Sequence, residues 1–168
     1  MANLKLDGQY NITVMFHTMF HTYKTSFSYH NLITEKGLNF LVNKWKTDDS
    51  MDYSITKIIV GTNTQDPSPT DNISVFHNQE TFNVDTSAEE NRLILSNNNL
   101  NGKILNSTYE IGVIGTITEK TQTVEETLNQ EEVLISRNTH PLIHIPSSSI
   151  ISFEYIYTLN SSQNDEEC

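Results

Sequence analysis

The sequence predicts a mostly β domain, either an antiparallel β-sandwich or a partly open barrel, with one amphipathic helix at about residues 34–46. Short stretches that alternate apolar and polar residues recur along the chain, and polar stretches that favour turns separate them. One stretch carries apolar residues at a helical spacing. Short strands at close intervals are typical of two packed antiparallel sheets.

The first strands are predicted between residues 10 and 29. Alternate residues from Tyr10 onward are apolar and share one face of a strand. They are Tyr10, Ile12, Val14 and Phe16. The segment His17–Tyr29 is rich in Thr, Phe, Tyr and Met, which favours two strands with a turn near Tyr23–Ser26.

The predicted helix begins at Thr34, whose side chain is of the type that caps helix N-termini. Apolar residues follow at positions i, i+3, i+4 and i+7 and form one stripe. They are Leu38, Leu41, Val42 and Trp45. Lys44 and Lys46 lie near the C-terminal end, where cations interact favourably with the helix dipole. We expect the stripe to pack against a sheet, with Trp45 buried.

Seven further strands are predicted in the rest of the chain. They lie at residues 55–60, 80–84, 92–96, 109–114, 133–136, 142–145 and 150–159. The strand at 142–145 is expected at a sheet edge, because Pro141 and Pro146 flank it. The loop Thr62–Asn72 contains two prolines, which exclude regular structure there.

Polar segments are expected to connect these strands. Asp85–Asn91 is predicted as a loop, Asn97–Asn99 as a turn, and Asn101–Gly102 as a turn that favours positive φ. The acidic segment Thr118–Glu132 is expected to be a long mobile β-loop or a short exposed helix, and to contact a neighbouring subunit or another protein.

We expect a single β-rich domain at residues 1–159, followed by a disordered acidic tail at 160–168 that makes no contact. The lone cysteine, Cys168, excludes an internal disulfide. The formal net charge is −11, and the only arginines are Arg92 and Arg137. Nucleic acid is therefore not an expected partner, since phosphate recognition needs clustered Lys and Arg.

Membrane association is not expected either. An anionic membrane surface would repel the chain, and no apolar run approaches the ~20 residues of a membrane-spanning helix. We expect no secretory signal, because the first residues of the sequence lack a basic stretch followed by an apolar one.

Two histidine pairs are the strongest metal candidates in the sequence. His17 and His21 are four residues apart, as are His140 and His144, which on a helix suits a shared zinc ion. Both pairs fall in predicted strands, where four residues span roughly 13 Å. We therefore expect structural or surface histidines and no metal site, with a metal on an oligomer axis as the open alternative.

No catalytic residue and no cofactor site is predicted. The paired carboxylates Glu89–Glu90, Glu125–Glu126 and Glu131–Glu132 lie in polar segments, where we expect solvated charges. The chain has no Gly-rich phosphate loop and no nucleophile motif. The aromatic strands Phe27–Tyr29 and Phe153–Tyr157 are expected in the core, and a sugar- or protein-binding face is the alternative.

Six segments follow one another in a distinctive order: a Gly-containing helix start, an apolar strand that ends in Gly-Thr, a Pro/Thr/Asp loop, a Glu-apolar-Gly strand, and two closing strands. They are Asn31–Leu38, Ile55–Thr62, Pro67–Asp71, Tyr109–Val113, Leu134–Arg137 and Ile151–Leu159. In this order they resemble the N-terminal modules of tail-collar and tail-fibre proteins of tailed phages, and related baseplate or neck components.

The resemblance implies a structural virion protein, made in the host cytoplasm, that forms a homo-oligomeric ring or trimer and binds other virion proteins. It implies no catalytic residues. Residues 1–30 exceed the minimal module and no fibre shaft follows, which favours a small component of the tail, collar, baseplate or fibre attachment. The alternative is a carbohydrate- or receptor-binding module of a phage tip or bacterial adhesin, with a host surface glycan as partner. A glycan-degrading enzyme is least favoured, because it needs two converging carboxylates.

Overall fold

Ten β-strands and one α-helix form the described part of the chain, residues 3–46, 50–120 and 129–162 of a computed structural model. The helix α1 spans Glu35–Trp45, and short 3-10 turns lie at Ile73–Val75 and Gly102–Ile104. The strands are β1 (Asn3–His17), β2 (Thr22–His30), β3 (Leu32–Ile33), β4 (Met51–Gly61), β5 (Glu80–Asn83), β6 (Asp85–Glu89), β7 (Arg92–Asn101), β8 (Glu110–Glu119), β9 (Gln130–Thr139) and β10 (Ile150–Ser162).

The strands form two antiparallel sheets of five strands each. The first sheet has the order β2-β1-β10-β7-β6, and the second has the order β3-β9-β8-β4-β5. The two sheets enclose one apolar core, with α1 packed on β9 and β4. The predicted mostly β sandwich with one α-helix is therefore confirmed.

The core lies between the inner faces of the two sheets. Strand side chains alternate between the two faces, so every second residue of the central strands points inward. The first sheet contributes Tyr10, Ile12, Val14, Phe153, Tyr155 and Tyr157, and the second contributes Ile58, Val60, Ile111, Val113, Val133 and Ile135. A smaller cluster of Ile59, Phe76, Ile114 and Leu134 lies apart from this core.

The chain passes directly from one sheet to the other at two corners. Asn31 alone separates β2 from β3, and Val84 alone separates β5 from β6. Backbone hydrogen bonds hold both residues: Asn31 N–H donates to the Gly8 carbonyl at 3.1 Å, and Val84 N–H donates to the Thr56 carbonyl at 2.9 Å. Because these strands are the sheet edges, the two passages join the sheets along both sides of the sandwich.

The turn between β1 and β2 lies at residues 18–21, so the predicted position near Tyr23–Ser26 is wrong. Thr18 closes the turn. Its Oγ1 accepts the His21 N–H at 3.0 Å, and its own N–H donates to the His21 carbonyl at 2.8 Å. A threonine hydroxyl takes the role that Gly, Pro or Asn usually mark in sequence, which explains the misplacement.

Two further connections differ from the prediction. Asp85–Asn91 is not a loop but contains β6, with a turn at Glu90, where φ is 44°. Its pairing with β7 is a tertiary contact that local polarity does not reveal. Conversely, Leu142–Ile145 is not a strand. The Asn106 side chain instead bonds both the N–H and the carbonyl of Ile145, each at 2.9 Å.

Of the two asparagine-rich turn signals, the one at Asn97–Asn99 is wrong, whereas a 3-10 turn does begin at Asn101–Gly102. Asn97–Asn99 lies within β7, where the register against β10 shifts. Gly102 does not have a positive φ. It allows a close approach instead, since its N–H donates to the Ser149 carbonyl at 2.8 Å and a Cβ would lie 3.0 Å from the Ser149 Cβ.

Thr34 is the N-cap of α1, as predicted. Its Oγ1 accepts the Gly37 N–H at 2.9 Å and donates to the Leu134 carbonyl. Its own N–H donates to the Ile135 carbonyl at 2.9 Å. The cap therefore fixes the start of the helix directly on β9.

The buried face of α1 differs from the predicted stripe. The buried residues are Gly37, Phe40 and Leu41. Leu38, Val42 and Trp45 are 36–45% exposed, so the expected burial of Trp45 is wrong. The reason is the anchoring of the N-cap on β9, which brings Gly37 rather than Trp45 against the sheet.

Two predicted flexible segments lie partly in strands. The expected tail begins inside β10, which continues to Ser162, and residues 163–168 lie outside the described residues. The acidic segment begins in β8 and ends in β9, and its residues 121–128 lie outside the described residues. A contact of this segment with a neighbouring subunit or with another protein stays a prediction.

Gly37→Ala should destabilise the protein, although alanine usually favours a helix over glycine by about 0.5–1 kcal/mol. A Cβ at Gly37 would overlap the main chain of Ile135, so α1 would have to move off β9. Asn39→Ala, at an exposed position of the same helix, is the control and should be neutral or slightly stabilising. Urea unfolding compares the two, and equal stability would contradict the seating of α1 on β9.

Candidate functional site: the Arg137 network and the exposed apolar surfaces

A buried group of charges joins β8, β9 and the loop at residues 62–77. The side chains of Arg137 and Glu110 are 1% and 0% exposed. Arg137 Nε donates to Glu110 Oε2 at 3.0 Å, and Arg137 Nη2 lies 2.9 Å from the same oxygen in the ion pair. Its Nη1 donates to Asp71 Oδ2 at 2.9 Å. We call these three residues the Arg137 network.

Glu110 binds backbone N–H groups at both ends of the loop. Its Oε1 accepts the Asn63 N–H at 2.9 Å and the His77 N–H at 3.3 Å. Gly61 permits this arrangement, since a Cβ there would lie 2.5 Å from Glu110 Oε1. The glycine at the end of β4 is thus required by the approach of a buried carboxylate.

Arg137 and Asp71 hold the middle of the loop. Arg137 Nη2 also donates to the Gln65 carbonyl at 3.0 Å. Asp71 Oδ2 accepts the Ser68 N–H at 2.9 Å. The guanidinium carbon lies 5.7 Å from the centre of the Phe76 ring, within the range of a cation–π contact.

The chemistry of this site is structural. Both Glu110 oxygens and all three Arg137 nitrogens bond within the chain, so neither group is presented to a substrate. Buried ions are tolerated in proteins when they are paired in this way. The network therefore ties a proline-containing loop to the face of the second sheet.

The histidine pairs do not form a metal centre with other ligands. His17 Nδ1 lies 2.8 Å from Thr22 Oγ1, and His21 is exposed in the β1–β2 turn. His140 is buried, whereas His144 is exposed. Across residues 3–46, 50–120 and 129–162, no three His, Cys, Asp or Glu side chains are grouped closely enough to hold a metal ion.

The carboxylate pairs that the structure describes are exposed. Glu89 lies 4.0 Å from Arg92, and Glu132 forms a 2.8 Å ion pair with Lys57. Glu90 and Glu131 are also exposed, and the pair at 125–126 lies outside the described residues. These carboxylates do not converge on a pocket with the Arg137 network.

The aromatic strands lie mainly in the core, as expected. Phe153, Tyr155 and Tyr157 are at most 1% exposed. Tyr29, Tyr10, Tyr155 and Tyr157 stack in sequence across β2, β1 and β10, with ring centres 5.1, 5.1 and 6.4 Å apart. We call these four residues the aromatic ladder. It begins at the half-buried Tyr29 on the edge of the first sheet.

His140 is one of five residues that line a shallow depression of about 330 Å³. The others are Thr64, Tyr109, Thr139 and Pro141. Its Nδ1–H donates to the Pro141 carbonyl at 3.0 Å, and its Nε2 is buried without a partner among the described residues. Burial lowers the pKa of His140, while the Pro141 hydrogen bond and Glu110 oppose this shift.

Two exposed apolar surfaces remain among the described residues. The hairpin of β1 and β2 extends beyond the start of β10, and its tip at residues 16–23, here called the arm, carries Met19, Phe20 and Tyr23 at 92%, 84% and 53% exposure. The second surface, the helix stripe, consists of Leu38, Val42 and Trp45. Large exposed apolar groups of this kind mark candidate binding surfaces.

The sequence contained signals for the Arg137 network that composition alone did not bring out. Arg137 follows the apolar residues of β9, and Glu110 precedes the apolar run of β8. A charged side chain inside a strand that is buried on both faces needs a partner of opposite charge. The two residues together therefore indicate an ion pair between Arg137 and Glu110. The arm was missed because its turn lacks Gly, Pro and Asn.

Comparisons with protein-family models, with curated proteins and with solved structures gave no match. None of the helices in the described residues is long and apolar enough to cross a membrane.

Arg137→Met should lower the free energy of unfolding by roughly 3–5 kcal/mol, because it leaves the buried Glu110 carboxylate without its cation. The matched control is Arg92→Met, since Arg92 is the only other arginine and its side chain is 43% exposed. That change should cost no more than about 1 kcal/mol. Urea unfolding of both variants measures the difference, and equal costs would contradict a buried role for Arg137.

Folding stability should fall as the pH drops below about 6.5, the usual pKa of histidine. The lowered pKa of His140 keeps the folded imidazole neutral where the unfolded one is protonated. The unfolded state then binds more protons, so acid favours unfolding. His140→Asn should flatten the melting temperature between pH 7.5 and pH 5.5, and the exposed control His144→Asn should not. An unchanged slope in His140→Asn would exclude His140 as the source.

Proposed function

We propose that this chain is a structural component of a tailed-bacteriophage virion that acts through protein–protein assembly. The proposed location is the tail, collar, neck, baseplate or fibre attachment, where the chain acts as a homo-oligomer. Its partners are other virion proteins, and neither nucleic acid nor membrane is among them.

The observation that carries the proposal is the convergence of the segments that resemble phage tail-collar and tail-fibre modules. Gly61, Asp71, Glu110 and Arg137 come from four different segments and meet at the Arg137 network. The fifth, Asn31–Leu38, joins them through the Glu35 N–H, which donates to the Pro69 carbonyl at 2.8 Å. Five of the six segments that carry the resemblance are therefore in contact in the fold, and this supports the proposal.

The distribution of polar and apolar groups also supports an assembly role over catalysis. The buried charges are satisfied within the chain, and the described exposed carboxylates do not converge on a cavity. The arm and the helix stripe leave apolar side chains in water. Exposed apolar groups without a reactive site are typical of proteins that bind other proteins.

Purified particles test this proposal. Virions from the source host, banded on a density gradient, should contain the chain at a fixed ratio to the major capsid protein by mass spectrometry. An abundant host cytosolic protein serves as the control for contamination of the particles. Its amount relative to the capsid protein should be much lower in the banded particles than in the lysate. Antibody-labelled particles should show the label at one substructure. Particles that contain the capsid protein but lack the chain would contradict a virion role.

A carbohydrate- or receptor-binding module is the second candidate, because the arm presents Phe20 and Tyr23 to solvent. Exposed aromatic rings can stack on sugar faces. A glycan array separates the two candidates: reproducible binding that is lost in Tyr23→Ala, and kept in Tyr109→Ala, would favour the binding module.

A further inference from the structure

We propose that β2 is an assembly edge, which pairs antiparallel with β2 of a second copy of this chain about a two-fold axis at Ser26. The pairing joins two first sheets into one sheet of ten strands. It gives the proposed assembly role a defined joint and rests on that proposal.

No described residue pairs with the outer edge of β2 over most of its length. On its inner side β2 pairs with β1 from Thr22 to His30. On its outer side, the contact that the described residues provide is at the end of the strand, where Asn138 Nδ2 donates to the His30 carbonyl at 2.7 Å. An edge of this length carries unsatisfied backbone groups that a further strand can pair.

The charge pattern selects β2 among the edges of the sheets. The chain has a formal net charge of −11, yet no Asp or Glu occurs between Gly8 and Thr34, and Lys24 is the only charged residue there. Two copies repel one another over most of their surfaces. At β2 they can approach without bringing carboxylates together.

The other edge of the first sheet shows the contrast. A two-fold pairing of β6, centred at Ser87, would place Asp85 of each copy directly opposite Glu89 of the other. Like charges directly opposite one another on paired strands are destabilising. The edges of the second sheet are shorter, with two residues in β3 and four in β5.

The side-chain pattern of β2 is self-complementary around Ser26, the middle residue of the strand. A two-fold axis perpendicular to the sheet keeps the inner faces of both copies on the same side. It places Tyr23 opposite Tyr29 of the second copy and Thr25 opposite Phe27. Cross-strand aromatic pairs and pairs of an aromatic with a β-branched residue stabilise antiparallel sheets.

The opposite face contains no charge conflict in this register. Lys24 lies opposite Ser28 of the second copy, and Ser26 lies opposite its own equivalent. On the inner face, the aromatic ladder reaches the joint at Tyr29, where Tyr23 of the second copy continues it. Tyr23 already stacks on Phe16 at 5.1 Å, so the stacked rings extend across both copies.

The arm gives this joint its apolar area. Met19, Phe20 and Tyr23 are the three most exposed large apolar side chains of the described residues. In the proposed register the arm continues past the paired strands toward the half-buried Leu32 and Ile33 of the second copy. Stable interfaces bury roughly 800 Å² per partner. The paired strands and the two arms together bury more area than the paired strands would alone.

The symmetry of the joint has a consequence for the assembly. A two-fold contact uses the same patch on both copies, so it cannot by itself close a ring. If the chain forms a trimer or ring, the β2 joint connects each copy to a copy in a second trimer or ring. The complete assembly then has dihedral symmetry. The joint also leaves the helix stripe free for other virion proteins.

The introduction of a charge at the axis tests the proposal with the full chain. Ser26 is exposed, and the axis places the two copies of it side by side. Ser26→Lys and Ser26→Glu should each lose the two-fold contact, because like charges then face one another. An equimolar mixture of the two variants should restore it. Analytical ultracentrifugation at micromolar concentration reads the masses, and circular dichroism confirms that each variant is folded.

Ser87→Lys and Ser87→Glu are the matched controls, since Ser87 is the exposed middle residue of the other edge strand. These variants should associate like the parent chain. A second measurement uses Ser26→Cys in a Cys168→Ser background, which should form a two-chain disulfide on oxidation, whereas Ser87→Cys should not.

The outcomes separate this inference from the proposed function. A parent chain that stays a monomer, Ser26 variants that associate unchanged, or loss of association in the Ser87 variants would each overturn the β2 joint. A heterologous protein strand on β2 would appear as a parent monomer that binds other virion proteins. Whether the chain is present in purified particles is read independently, so the virion role stands or falls without the joint.

Discussion

The buried guanidinium of Arg137 is the constraint on which most of the second sheet depends. At 1% exposure it can neither lose its charge nor remain unpaired, so neighbouring segments must supply carboxylates. Glu110 does so from the adjacent strand, and Asp71 does so from a loop that is otherwise distant. The loop at 62–77 is thereby bound over the sheet, and a second apolar cluster closes beside it. This is why β8 is buried at six consecutive positions rather than at alternate ones.

The helix is placed by the same strand, two residues away. A β-bulge in β9 leaves Ile135 without a partner residue on β8. Its carbonyl accepts the Thr34 N–H, and Gly37 allows the first turn of α1 to touch it. Backbone geometry therefore decides which face of the helix meets the sheet. The apolar stripe that would otherwise decide it is left partly in water at Leu38, Val42 and Trp45.

The parts of the fold that follow from local periodicity could be predicted, and those that depend on tertiary contacts could not. Alternation identified the central strands, and the capping residue Thr34 located the helix start. Polar β6 was missed because its strand character comes from β7 alone. Leu142–Ile145 was misassigned because the Asn106 side chain replaces a strand partner. The charge partners of Arg137 lie 27 and 66 residues away, beyond the reach of local patterns.

The distribution of acid along the chain connects composition to assembly. A net charge of −11 keeps copies apart wherever carboxylates are exposed, which protects most of the surface from unspecific association. Edge strands need such protection most, and β6 has it in Asp85 and Glu89. In contrast, β2 has one lysine, no acid and an adjoining arm with exposed Met19 and Phe20. Solubility alone does not explain why one edge strand carries acidic residues and the other carries none. The proposed pairing of β2 with a second copy of the chain accounts for both.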